Sequence, residues 1–245
     1  MLRNSLLALV ILALGYMFLN VYTTYDTRTD LSATMNSGET IAQHFASKGA
    51  QEVGAANLVT AIVVTYRGFD TLGEVTILFL TASIISFFLK LKDEESDSEI
   101  VHRDTSELLV TASKVLIPII FLFGIYVFMN GHLTPGGGFQ GGAIIATGVA
   151  LMILSQPNIR LNYHVIHWVE SISGISFVVI GILGIILAGG FLDNKILGLG
   201  EFGTLFSAGA IPIIYSFVGL KVGAEISNIL NKYQKSQKSN DAISN

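Results

Sequence analysis

The chain carries GHLTPGGGFQGG at residues 131–142, directly between two apolar segments of membrane length. Pro135 interrupts a helix because its ring removes a backbone donor, and the glycines readily adopt positive φ. Phe139 then begins the next apolar run. The stretch therefore predicts a tight turn between two membrane-spanning helices. The residues assigned to this turn are Thr134, Pro135, Gly136 and Gly137.

The helix predicted after this turn carries small residues at four-residue steps. These residues are Gly138, Gly142, Ala146 and Ala150. Such a stripe lets two helix backbones approach closely in a membrane, so we predict a helix packing seam. A phosphate-binding loop is the weaker interpretation of the glycines, because no Lys-Ser or Lys-Thr pair follows them.

The composition places most of the chain in a bilayer. Hydrophobic residues make up 51% of the 245 residues and charged residues only 13%, which is more apolar surface than one soluble domain covers. A helix needs about 20 mostly apolar residues to cross, and we therefore predict an all-α integral membrane protein with about six transmembrane helices. The predicted spans are residues 5–22, 71–91, 110–129, 139–155, 165–187 and 202–222.

Residues 57–66 are apolar but too few to cross, so they predict one short interfacial or re-entrant helix. The first span is predicted to be an uncleaved helix, because no small-residue cleavage site follows it. Six spans place ten of the 14 Lys and Arg residues on the side shared by the termini. The positive-inside rule then predicts a multi-pass plasma-membrane protein with both termini cytoplasmic and the glycine turn facing outward.

The absence of cysteine excludes disulfides, thiolate metal sites and iron–sulfur ligation. We therefore predict no cofactor in this chain and place any electron-transfer chemistry in another subunit. Net charge is −4 and the basic residues are dispersed, which argues against nucleic-acid binding.

An acidic linker, residues 93–107, divides the predicted spans. A two-span front part, residues 1–92, precedes it, and a four-span back part, residues 108–226, follows it. Residues 227–245 are predicted to be a polar cytoplasmic tail with a frayed end.

Two parts of the sequence resemble known membrane proteins. The run NLVTAIVVTYRGFDTLGE, residues 57–74, is similar to the E subunit of membrane-bound hydrogenases and to a terminal part of the large Mrp A subunit. The glycine motif at residues 134–142, together with residues 206–209 and 219–224, resembles the MnhB domain of Mrp-type multisubunit Na⁺/H⁺ antiporters. The chain is thus similar to an Mrp B subunit fused to a segment like the E subunit of a membrane-bound hydrogenase.

The resemblance implies a non-catalytic membrane subunit of an Mrp-type antiporter module. Such a module occurs as a standalone antiporter or as the ion-pumping arm of a membrane-bound hydrogenase-like redox complex. The implied partners are other Mrp-type antiporter subunits, hydrogenase-like or iron–sulfur redox subunits in the second setting, and the lipid bilayer. The implied role is to support assembly and to form part of a Na⁺ or H⁺ path. The alternative is a purely structural subunit with no residue in the ion path.

Asp70 and Glu74 are the first ion-path candidates, because they stand four residues apart at the outer mouth of a predicted span. Arg67 is their natural ionic partner. The competing interpretation is a capping box formed by Thr71 and Glu74, in which both side chains only satisfy helix-start N–H groups.

Further candidates lie near predicted cytoplasmic helix ends: Lys114, His167 and Glu170. His164, His167 and Glu170 could be metal ligands, but three-residue steps drift around a helix, so we predict no metal site. A polar interface or a proton relay through His167 and Glu170 is favoured instead. Lys221 is expected to snorkel from a helix end, with Glu225 as an i+4 partner. His132 is expected to be a surface loop residue.

Overall fold

The computed structural model describes residues 41–90, 105–156, 159 and 161–243, and nearer the N-terminus Leu12, Gly15, Tyr16 and Leu19. The chain divides into two compact units, residues 1–47 and 48–245. In the first unit, the described residues 41–47 belong to a helix in which the Ser47 hydroxyl donates to the Gln43 carbonyl at 2.8 Å. The predicted first span and the acidic linker lie largely outside the described residues.

The described elements are helical and follow one another in a simple order. The six main helices are α1 (Ile41–Val53), α2 (Gly68–Lys90), α3 (Glu107–Met129), α4 (Gly138–Ser155), α5 (Tyr163–Leu187) and α6 (Ile211–Ile243). Two short segments complete the list: a helical segment that is α-helical over Leu58–Thr60 and π-helical over Ala61–Tyr66, and a 3₁₀ turn, Asn194–Ile196.

Five helices, α2 to α6, are long and apolar enough to cross a membrane. The predicted fold class is confirmed. Five predicted spans correspond to α2 to α6, the last with a later start, and the predicted first span lies largely outside the described residues. The short helix predicted at residues 57–66 is confirmed as the segment Leu58–Tyr66. Its π-helical half has backbone hydrogen bonds between residues five apart instead of four, a variation that often accompanies functional sites.

Helix α6 lies at the centre of the second unit, because it contacts α2, α3, α4 and α5. Its buried side chains fall at helical spacing: Ile211, Ile214, Val218 and Val222. They pack in one core with Val75 of α2 and Phe177 of α5. The four other spans therefore surround α6.

The small-residue stripe of α4 faces α6 of the same chain. A Cβ built on Gly142 would lie 2.6 Å from the Gly219 carbonyl oxygen, and one on Gly138 would lie 2.7 Å from Val218 Cβ. Ala146 continues the stripe and is buried. An adjacent side of α4 meets α3 as closely, since a Cβ on Gly141 would lie 2.6 Å from the Gly124 oxygen. Helix α4 is thus packed backbone to backbone between α3 and α6.

The last span differs from its prediction. It begins at Ile211 instead of residue 202, because Ala208 and Gly209 have φ of 64° and 59° and reverse the chain just before it. Pro212 therefore stands in the first helical turn, where its missing N–H would have no helical partner, and it does not break a helix. The carbonyl of Ala208 accepts from Asn194 Nδ2 at 2.9 Å. The helix continues to Ile243, so the tail predicted to fray is helical over most of its length.

Candidate functional site

The later start of α6 moves Lys221 into the middle of a span. Lys221 lies ten residues after Ile211, which at 1.5 Å per residue is about 15 Å along the helix, half of a hydrocarbon core of about 30 Å. Its side chain is only 8% exposed. The expectation that Lys221 snorkels from a helix end is therefore wrong.

The Lys221 ammonium is enclosed by three helices. Its Nζ donates to Glu225 Oε1 at 3.1 Å, and Glu225 is fully buried one turn further along α6. The same Nζ lies 5.0 Å from the ring centroid of Phe79 on α2, a cation–π contact. Gly174 of α5 packs against the Lys221 side chain, since a Cβ there would stand 3.7 Å from Nζ, an ordinary van der Waals contact.

Glu170 of α5 brings a second carboxyl group to this pair. It is buried, and it interacts electrostatically with Glu225. His167, one turn earlier and 60% exposed, places Nδ1 3.6 Å from Glu170 Oε2. We refer to Glu170, Lys221 and Glu225 as the acid–lysine cluster.

The cluster contains buried oxygen atoms without hydrogen-bond donors. These atoms are Glu170 Oε2, Glu225 Oε2 and, one turn beyond Glu225, Asn228 Oδ1. A buried acceptor without a donor costs about 1–3 kcal/mol and calls for an explanation in terms of a proton, an ion, a water molecule or a partner.

A cleft of ≈ 630 Å³ lies between α2 and α5 and leads to the cluster. Its walls are mostly apolar, and its polar lining residues are Thr76, His167, Glu170, Ser171 and Lys221. Because His167 is exposed and Glu170 buried, the cleft connects an accessible imidazole to the enclosed charges. A concave apolar site with a few convergent polar groups is the usual form of a functional pocket.

A second polar region joins the segment Leu58–Tyr66 to the glycine turn. Asn57 donates through Nδ2 to the carbonyls of Gly131 at 2.9 Å and Thr134 at 3.0 Å, and its Oδ1 accepts the Val59 N–H at 3.1 Å. The Thr60 hydroxyl donates to the Gly131 carbonyl at 2.6 Å.

Tyr215 of α6 completes that network, because its hydroxyl donates to Thr60 Oγ1 at 3.0 Å. We refer to Asn57, Thr60, Gly131, Thr134 and Tyr215 as the outer seam, after the outward orientation that the sequence predicts for the glycine turn. Every contact in it is neutral. Through it the turn predicted from Thr134 and its neighbours is tied to Asn57 and Thr60 and to α6.

The candidates at the start of α2 stand beside the outer seam. Arg67 and Asp70 form an exposed ion pair at 2.5 Å. Glu74 is exposed and interacts electrostatically with Tyr215. Thr71 donates its hydroxyl to the Val63 carbonyl at 3.0 Å, inside a helix that already begins at Gly68, so the capping-box alternative does not form.

The remaining candidate residues, Lys114, His164 and His132, lie outside the acid–lysine cluster. Lys114 is exposed on α3, away from the cleft lining, and His164 is exposed at the start of α5. Among the described residues, no group of three His, Asp or Glu side chains is placed to hold a metal ion. His132 is fully buried, so its assignment to the surface is wrong. Its Nε2 lies 3.3 Å from the Thr204 carbonyl, and burial lowers its pKa.

Two family models match this chain in succession. Residues 11–102 match MbhE, the model for the E subunit of MBH, and residues 108–228 match MnhB, "Domain related to MnhB subunit of Na+/H+ antiporter". An uncharacterized protein of Methanocaldococcus jannaschii is 31% identical over 194 residues, which are 70% of this chain and 74% of that protein. The chain belongs to the MnhB-domain family.

Solved structures support the family at the level of the fold. A chain of the membrane-bound sulfane sulfur reductase, an archaeal respiratory membrane complex, is similar with a TM-score of 0.70 and 36% identity. That match covers 95% of this chain and 98% of the other. A chain of the Mrp complex from Dietzia sp. DQ12-45-1b gives a TM-score of 0.61 at 26% identity, over 90% of this chain and 25% of the other.

The two matched regions meet at both polar sites. The acid–lysine cluster belongs to the MnhB domain, whereas Phe79, which covers the Lys221 ammonium, belongs to the region matched by MbhE. The outer seam likewise joins Asn57 and Thr60 of the first region to Gly131 of the second. Within residues 48–245, Asn57, Thr60 and Phe79 of the first matched region are therefore packed against the MnhB domain at both sites.

Sequence reasoning named Glu170 and His167 but missed the depth of Lys221 and Glu225. The available signal was Gly209 followed by Pro212, a glycine turn with a proline in the next helical turn, which is typical of a helix start. Shifting the span to begin there would have placed a Lys–Glu pair at mid-membrane.

Proposed function

We propose that this chain is a non-catalytic subunit of an Mrp-type cation/proton antiporter module and that its cleft forms part of the ion path. The observation that carries the proposal is the buried acid–lysine cluster at the end of a cleft between α2 and α5. Ionisable side chains at membrane depth are costly and mark ion or proton pathways by default. Asp70, Glu74 and Arg67 are proposed to form the outer mouth of the same path.

The family supports this role through its description as related to the MnhB subunit of a Na⁺/H⁺ antiporter. The two similar solved chains belong to an Mrp complex and to a respiratory membrane complex. The similarity to the chain of the respiratory complex covers 98% of that chain at 36% identity, whereas the similarity to the Mrp chain covers 25% of it at 26% identity. This difference favours the ion-pumping arm of a redox-linked complex over a standalone antiporter. The proposed partners are thus Mrp-type antiporter subunits together with iron–sulfur redox subunits, and no cofactor is proposed within this chain.

The proposed orientation keeps both termini in the cytoplasm. The helix starts at Gly68, Gly138 and Ile211 then lie on the outer side with the outer seam. Helix α5 begins on the cytoplasmic side, so His167 lies at a cytoplasmic mouth of the cleft. The distribution of Lys and Arg supports this arrangement.

A purely structural subunit is the second candidate. It is favoured by the exposed apolar face of α2, where Ile77, Leu80, Ile84, Phe87 and Phe88 offer a surface for neighbouring helices or lipid. In that role the cluster would only hold α2, α5 and α6 together.

Purification of the native complex through a tag on this chain, followed by mass spectrometry, tests the setting. Antiporter subunits alone indicate a standalone exchanger, additional redox subunits indicate a redox-linked pump, and a solitary chain contradicts the proposal. Ion exchange in membrane vesicles tests the path. Glu225→Gln and Glu74→Gln should reduce transport in a normally assembled complex, whereas Glu201→Gln, in an exposed loop, should not. Full transport by both test variants favours the structural role.

A further inference from the structure

We infer that the acid–lysine cluster is a proton-carrying site, in which Glu170 and Glu225 share one exchangeable proton while Lys221 remains an ammonium ion. The inference rests on the proposed function for its place in transport, but the site itself is argued from charge and contacts. It names the ion that this part of the path carries.

Charge counting is the first step. With both carboxyl groups ionised, the cluster holds two negative charges and one positive charge, all nine-tenths or more buried. An uncompensated charge in a low-dielectric interior is strongly unfavourable. One proton added to the two carboxyl groups makes the cluster neutral.

Among the described residues, the charges that act on Glu225 are those of Lys221 and Glu170. Helix α4 has no titratable residue. Helix α2 carries Asp70, paired with Arg67, Glu74, which lies toward Tyr215, and Lys90 at its last position. On α6 the next basic residue is Lys232, two turns beyond Glu225. Helix α3 carries Glu107 and Lys114 near its start, and Lys114 is exposed. On α5, His164 is exposed and His167 contacts Glu170 from the mouth of the cleft.

The unpaired oxygens are the second, independent observation. Glu170 Oε2 and Glu225 Oε2 are buried and lack donors, although each carboxyl group interacts with the other electrostatically. A proton on one of them converts an unpaired acceptor into an O–H donor. The proton that makes the cluster neutral therefore also lowers the number of its unpaired acceptors.

A metal cation fits the same place less well. The Lys221 ammonium lies 3.1 Å from Glu225 Oε1, so it repels any second cation that approaches that carboxylate. Hard cations also collect many oxygen ligands, about six or more for Ca²⁺ and Mg²⁺. The cluster offers three unpaired oxygens, including Asn228 Oδ1.

His167 gives this proton an exit. When the proton leaves, the O–H bond of Glu170 breaks and an N–H bond forms at His167 Nδ1, which lies 3.6 Å from Oε2. The imidazole is 60% exposed and passes a proton to water from its other nitrogen. The carboxylate left behind is stabilised by the ammonium of Lys221 until the next proton arrives.

Infrared spectroscopy of the full chain in its purified complex tests the inference, because a protonated carboxyl group absorbs apart from a carboxylate. We expect a protonated-carboxyl band at neutral pH in the native chain. Glu170→Gln and Glu225→Gln should each remove it, since one Lys and one Glu then balance. Lys221→Met should about double it, because both acids must then be neutral. Glu201→Gln should leave the band unchanged.

Three results would overturn the inference: no band in the native chain, the same band in all cluster variants, or loss of the band when NaCl replaces choline chloride at constant pH. The last would identify a cation site. Transport separates the two proposals. If the band behaves as expected but Glu225→Gln transports normally, the proton site stands and its place in the ion path fails. If transport is lost without any such band, the path stands and the shared proton fails.

Discussion

The outer seam and the acid–lysine cluster are two buried polar regions on the same helix, built on opposite principles. In the outer seam, neutral donors of Asn57, Thr60 and Tyr215 meet acceptors at 2.6–3.0 Å. In the cluster, formal charges are brought together and buried acceptors remain without donors. A neutral network in which every donor has an acceptor stabilises a fold. A buried charged network with unpaired acceptors is costly for folding, and such exceptions are expected at functional sites.

The two regions are close along α6. Tyr215 and Lys221 are six residues apart, about 9 Å of helix. The outer seam therefore joins the segment before α2 to α6 about two turns from the cluster. Variants of the two regions should therefore separate a role in stability from a role in transport.

The largest effect is expected for Glu170→Gln with Glu225→Gln. The double variant leaves the buried Lys221 ammonium without a counter-charge, which should destabilise the fold by about 3–5 kcal/mol. Adding Lys221→Met should restore most of the stability. Thermal unfolding of the purified chain in detergent, with the yield of folded protein, measures both steps. A double variant as stable as either single variant would show that the cluster is not desolvated.

Asn57→Ala should break the outer seam. It removes two donors to the Gly131 and Thr134 carbonyls and one helix-capping acceptor, so we expect a loss of about 2–3 kcal/mol. The matched control is Asn130→Ala, because Asn130 makes an exposed bond to its own helix at 3.1 Å. The same unfolding assay compares them. Equal effects of the two variants would contradict the seam.

Asp70→Asn should have little effect on stability. Its ion pair with Arg67 is exposed, and exposed pairs contribute about 0–1 kcal/mol and weaken with salt. Unfolding at low and high salt measures this contribution. A loss as large as that of Asn57→Ala would place Asp70 within the seam instead of beside it.

The smallest effect concerns pH at His132. Burial lowers its pKa below 6.5, while hydrogen bonds to backbone carbonyls oppose the shift. The unfolded chain therefore binds more protons than the folded one below about pH 6.5, and stability should fall as pH decreases through that range. His132→Asn should flatten this part of the pH profile. A steeper loss of stability with decreasing pH in His132→Asn would contradict this role of His132.

Much of this architecture could be predicted because membrane spans follow from apolar length. Four of the predicted spans end within about three residues of α2, α3, α4 and α5, and the glycine stripe of α4 faces another helix. The start of α6 could not be predicted as well, because the apolar run begins well before Ile211. Ala208 adopts a left-handed conformation that alanine rarely takes, so Gly209 and Pro212 were the local signals for the reversal and they lie inside the apolar run.

The site was only partly predictable for a related reason. Glu170 and His167 are visible as polar residues in an apolar segment. Their proximity to Lys221, however, depends on the residue at which α6 begins. The burial of His132 depends on Thr204, which is 72 residues away in sequence. Local patterns carry no information about such contacts.

The contacts between Gly142 and Gly219 have a mechanical consequence. Where Gly142 meets Gly219, no side chain separates α4 from α6, so the two backbones cannot slide or roll there without collision. Helix α3 is locked to α4 in the same way at Gly124 and Gly141. The three helices thus form a stiff frame, and we expect any change in the width of the cleft to come from α2 and α5.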